Sequence, residues 1–155
     1  MMAAETPGGL RGVILCASFV APPWPFLRAL RGAVTTPIVR LFPVVSRALA
    51  LFGRYSSRDF QRDRLECLAR VPPSVFAART RAILDVDLRA REACGVPVLY
   101  VGGSKDIVVP RWNARAVACA NPSARVVTID GPHLALYTNP VAAARTIAQF
   151  IRENR

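Results

Sequence analysis

Val96-Pro97-Val98-Leu99-Tyr100-Val101-Gly102-Gly103-Ser104-Lys105-Asp106-Ile107-Val108-Val109-Pro110 is the stretch on which the reading of the fold turns. Its first half is a continuous apolar run closed by glycine, the pattern of a strand buried on both faces of a parallel sheet. Its second half places a carboxylate, Asp106, a few residues beyond the strand, and Pro110 is suited to opening a helix. In an open parallel sheet reactive groups collect at this position, because the strand-to-helix loops converge beyond the carboxyl ends of the strands. The glycines at 102 and 103 are expected to permit a sharp exit from the strand.

Downstream, a helix through Trp112 and Val117 stops before Asn121-Pro122, and Arg125-Val126-Val127-Thr128-Ile129-Asp130 makes another strand. Gly131-Pro132 then shapes a tight turn that presents His133, the single histidine of the chain. If the two strands are neighbours at ~4.8 Å, Asp106 and His133 can meet, and the carboxylate can hold the imidazole in the tautomer that leaves its other nitrogen basic. The final helix has Asn139 as N-cap oxygen, Pro140 in the first helical position, and an expected apolar stripe of Val141, Ala144, Ile147, Ala148 and Ile151.

Upstream, the run within Leu10-Arg11-Gly12-Val13-Ile14-Leu15-Cys16-Ala17-Ser18-Phe19 is a second buried-strand pattern. Pro22, Pro23 and Pro25 break the chain after it. Pro37 to Phe52 has Ile38, Leu41, Phe42, Val45, Leu49 and Phe52 at helical spacing, kinked at Pro43, with Arg40 and Arg47 leaving the apolar stripe intact. Such a basic amphipathic helix also fits a membrane surface, although packing within the protein is the favoured reading. Helices follow over Ser57 to Ala69, and from Ser74, as cap, to about Ala93, where Gly95 ends the pattern. Strands alternating with helices of ten or more residues imply an α/β fold, a parallel sheet flanked by helices. One domain spanning 1–155 is expected, with 22–70 as a cap-like helical insertion.

With 155 residues, 52% of them hydrophobic, the chain can bury the core of one compact domain. Its apolar runs fall short of the ~18–20 residues that a bilayer span needs, so no transmembrane segment is expected. The opening Met-Met-Ala-Ala-Glu-Thr-Pro lacks a secretory pattern, which leaves the cytoplasm as the default location. The cysteines Cys16, Cys67, Cys94 and Cys119 are widely spaced and make no metal set with one histidine. They are expected to be buried free thiols, and no cofactor or metal site is read from the sequence. The net charge of +11 is almost all arginine, Lys105 being the only lysine. Scattered singly and without interleaved aromatics, these arginines make no nucleic-acid site that the sequence supports.

Together the two loops resemble the C-terminal signature of the α/β-hydrolase superfamily. Val96-Pro97-Val98-Leu99-Tyr100 with Gly102, Asp106 and Val109-Pro110 resembles the family's strand before the triad acid. Gly131-Pro132-His133 resembles its histidine loop, and Asn139-Pro140 with Phe150-Ile151 its last helix. Val13 to Phe19 is similar to the strand after the nucleophile helix, with the segment from Pro22 in the place of the variable cap. The resemblance implies a serine hydrolase of an ester, amide or related acyl substrate, with Asp106 and His133 as triad acid and base.

The departure is equally specific. A Gly-x-Ser-x-Gly elbow would lie upstream of the first strand, and the chain contains none. A strand, elbow and helix need ~25 or more residues, and nine precede Leu10. The nucleophile and the oxyanion amides are therefore expected outside this chain. Ser18 lacks flanking glycines, Ser104 sits on the acid's own loop, and Cys16 reads as core; none makes a good substitute. Asp85 and Asp87 read as solvated helix charges, and Asp130 as a turn residue. The sequence favours a fragment or N-terminally truncated hydrolase that is inactive alone. The alternative is an inactive remnant that binds a partner or a second copy through an exposed sheet edge.

Overall fold

The computed structural model describes residues 9–41, 55, 57–90, 93 and 95–155. The described residues form two compact units, those of Met1–Ala21 with Asp87–Arg155 and those of Pro22–Val86.

The first unit is built on a parallel sheet in which β1 (Val13–Cys16), β2 (Val98–Gly103) and β3 (Ala124–Ile129) lie in the order β1-β2-β3. Val13 pairs with Val98 and Cys16 with Val101, while Val98 pairs with Ala124 and Gly103 with Ile129. Alternate residues of β2 feed opposite faces. Leu99 and Val101 pack with Ile129, Ala135, Ala143 and Phe150 on one side, and Tyr100 packs with Val20, Ala114 and Val117 on the other. β2 is thus buried from Val98 to Val101, as the apolar run requires. β1 differs from its expectation: all four of its residues are half-buried, because among the described residues it has a neighbour on one edge only.

The helices of this unit are α4 (Trp112–Ala120), α5 (Ala135–Thr138) and α6 (Pro140–Glu153). Two expectations for α6 are corrected. Asn139 makes no side-chain cap; its amide donates to the Asp130 carbonyl at 3.1 Å and ties the helix start to the histidine turn. The buried face is Ala143 and Phe150, with Ala142 and Ile147 against the same core, while Val141 is 69% and Ile151 48% exposed. Both stripes have helical spacing. The one carrying the large Phe150 ring wins the core because it removes more apolar area from water.

The second unit contains a 3-10 helix (Pro25–Ala33), α1 (Thr36–Val39), α2 (Arg58–Ala69) and α3 (Pro73–Asp85). Ser57 caps α2, its hydroxyl accepting from the Phe60 amide at 3.1 Å. α3 starts one residue before the expected Ser74 cap, with Pro73 in its first turn, and ends at Asp85 rather than near Ala93. Val86 is already extended, and the next amide but one, Leu88 N–H, donates to the Val20 carbonyl at 2.7 Å, so the chain has rejoined the first unit. The expected helix over Pro37 to Phe52 falls mostly on 42–54, outside the described residues, as does Cys94. Cys67 and Cys119 are exposed free thiols on helix surfaces, against the expectation of burial, and Cys16 is half-buried. No helix among the described residues is long and apolar enough to cross a membrane.

Candidate active site

The exits of β2 and β3 are bonded to one another almost residue by residue. The Ser104 amide donates to the Ile129 carbonyl at 2.8 Å and the Lys105 amide to the Gly131 carbonyl at 2.9 Å. The Ser104 hydroxyl donates to the Asp130 carboxylate at 3.0 Å, which makes that acid a brace between loops as well as a turn residue. Glycines 102 and 103 act differently from their sequence reading. Gly103 is the last residue of β2, and among the described glycines only Gly9 has a positive φ. Their use is close approach. A Cβ on Gly103 would lie 2.3 Å from the Pro132 carbonyl oxygen and 2.5 Å from that of Gly131.

This packing brings together the two residues singled out from the sequence. Asp106 Oδ2 lies 3.0 Å from His133 Nδ1. Asp106 is 2% exposed at its side chain, and its Oδ1 accepts from the Val108 amide at 2.9 Å and the Val109 amide at 2.8 Å. Two backbone donors on one oxygen fix the orientation of the carboxylate. The other oxygen is then the acceptor for the imidazole. With an ionised carboxylate as its partner, Nδ1 is the donor in that contact and Nε2 is the nitrogen left as acceptor. His133 is 29% exposed and borders a cavity of about 240 Å³, whose wall includes Cys16, Ala17, Leu134 and Tyr137.

The remaining candidates fall out of the site or to its margin. Cys16 is on the cavity wall, but burial pushes its thiol up from the ordinary value, which disfavours the thiolate needed of a nucleophile. Ser18 is not among the residues of the cavity wall; its carbonyl accepts from the Tyr100 hydroxyl at 3.2 Å. Asp85 and Asp87 face Arg31 and Arg89 at the surface. No set of His, Cys, Asp and Glu among the described residues is arranged to hold a metal. The sequence missed Ala17, a cavity residue with a φ of 44°, because no local pattern announces a left-handed alanine.

No family model and no curated protein matches the chain. Solved structures do. It is similar to a bromoperoxidase from Bacillus anthracis (16% identity, TM-score 0.79, 97% of this chain and 61% of that one). It is similar to a hydrolase from Pseudomonas aeruginosa PA01 (20%, 0.77, 97% and 58%) and to the enol-lactonase from Burkholderia xenovorans LB400 (21%, 0.70, 97% and 60%). The chain spans about three-fifths of the length of these structures and has a partial α/β-hydrolase fold.

Proposed function

We propose that this chain supplies the acid and the base of a serine hydrolase acting on small acyl substrates such as esters or lactones. The observation that carries the reading is the 3.0 Å pair between His133 and a buried Asp106 held by two backbone amides. A serine from polypeptide beyond this chain attacks the acyl carbon. His133 Nε2 takes the serine proton and returns it to the leaving group, and Asp106 stabilises the imidazolium formed between these steps. Residues 22–70 take the part of a cap insertion. The absence of a Gly-x-Ser-x-Gly turn from the sequence supports an external nucleophile, as does the three-fifths coverage of the solved hydrolase-fold structures.

The test is peptide mapping of the native protein from its own cells, combined with fluorophosphonate labelling. Labelling of a serine N-terminal to Met1, lost in His133→Ala, is expected. In that protein Asp106→Asn should lower kcat for a p-nitrophenyl ester by about 10³- to 10⁴-fold. A mature terminus at Met1 or Met2 with no labelled serine overturns the proposal.

A further inference from the structure

We propose that Gly103 is the positioning residue of the acid–histidine pair: its missing side chain lets the end of β2 close against the Gly131–Pro132 turn and so sets the distance from Asp106 to His133. The inference rests on the proposed roles of these two residues and adds the feature that holds them in place. Asp106 follows Gly103 by three residues and His133 follows Gly131 by two, so the separation of the two backbones at Gly103 governs that of the two side chains. A Cβ at Gly103 would meet two carbonyl oxygens and the Pro132 carbonyl carbon at 2.3, 2.5 and 3.0 Å. These are backbone atoms, which cannot rotate away as a side-chain tip can.

The approach is also bonded. Ser104 and Lys105 donate to Ile129 and Gly131 across the same seam, and Asp106 N–H turns back to the Gly103 carbonyl at 3.3 Å. Opening the seam by the ångström or so that a methyl demands lengthens these bonds and the 3.0 Å contact at once. Gly102 is the internal contrast. The three atoms nearest its added Cβ all belong to the Tyr100 side chain, at 3.0 Å and beyond, on a ring that can give.

The single histidine makes the test direct, since the full chain has one imidazole to observe. The ¹⁵N and downfield ¹H signals of that imidazole are recorded for the wild-type chain, Gly103→Ala, Gly102→Ala and Asp106→Asn, with thermal midpoints alongside. In Gly103→Ala the signals are expected to move most of the way to their Asp106→Asn positions. Gly102→Ala should keep the wild-type signals even if its midpoint falls. Wild-type signals in Gly103→Ala overturn the inference, as does an equal displacement in Gly102→Ala. If Asp106→Asn itself leaves the imidazole unmoved, the pair is wrong and the proposed function fails with it. Should Gly103→Ala not fold, amide exchange of the wild-type chain decides: protected Ser104 and Lys105 amides support the closed seam, and freely exchanging ones refute it.

Discussion

β2 ends in two glycines still paired with β3 and is bonded along its exit to the neighbouring histidine turn, whereas β1 leaves beside it through Ala17 at a φ of 44° and, among the described residues, has a partner on one edge only. The first exit holds Asp106 and His133 together by close approach of backbones. The second places an alanine in a conformation costing about 1–2 kcal/mol for a residue with a Cβ, stabilised by the Ala17 amide donating to the Val101 carbonyl at 2.8 Å. The difference teaches that a central strand and its neighbour on the edge carry different loads although both read as the same apolar run. β2 contributes to both cores and leads into the loop that carries Asp106. β1 contributes one wall of the cavity.

The sharpest way to break this contrast is to remove equivalent bulk from each strand. Leu99, fully buried in the centre of β2, should cost about 2–5 kcal/mol on truncation to alanine. Its register partner Ile14, half-buried on β1, should cost about 1–2 kcal/mol, since less of it leaves water on folding. Urea unfolding of Leu99→Ala and Ile14→Ala measures both. Equal losses would mean that β1 is as central to the core as β2.

A smaller, pH-dependent effect links the two strands. Tyr100 of β2 donates to the Ser18 carbonyl just after β1, and its phenol is pushed up to about 12 by burial, with the charges of Asp106 and Cys16 adding to the effect. The folded value lies above the unfolded one near 10, so this stabilisation is complete below pH 10 and is lost as pH rises toward 12. Alkaline unfolding should therefore be steeper in the wild type than in Tyr100→Phe across that window, although the variant loses about 1 kcal/mol at neutral pH with its hydrogen bond. A spectrophotometric titration should assign the late-titrating phenol to Tyr100 by difference.

The smallest expected change is a gain. Ala17→Gly relieves the left-handed residue at the β1 exit and should raise stability by up to about 1 kcal/mol, net of the greater freedom of glycine in the unfolded chain. A raised thermal midpoint is the expected result; a lowered one would show that Ala17 loses more in cavity packing than it gains in backbone freedom.

Much of this arrangement was legible in the sequence, and the misses share one character. The three strands, the helix expected over Ser57 to Ala69 and the Asp106–His133 pair follow from short-range patterns: an apolar run, the periodicity of a helix, a charge a few residues past a strand end. The errors arose where two local readings were equally good. In the last helix, spacing allowed a stripe through Val141 and Ile151 as readily as one through Ala143 and Phe150, and the sheet chose the second. Asn139 had the chemistry of an N-cap, yet its amide found the Asp130 carbonyl nine residues back. Cys67 and Cys119 were assigned to the core by residue type and stand exposed on helix surfaces.

The sequence by itself determined the class of fold, the order of its three strands and the two loop residues, Asp106 and His133, that the structure brings together, because hydrophobic period, turn residues and the place of a charge after a strand are written within about ten residues of one another. Only the tertiary structure decided which face of each helix is buried, why Gly103 has to be glycine, and that β1 is half-exposed while β2 is not. Each of these depends on a neighbour far away in the chain, and no local pattern states how near that neighbour will come.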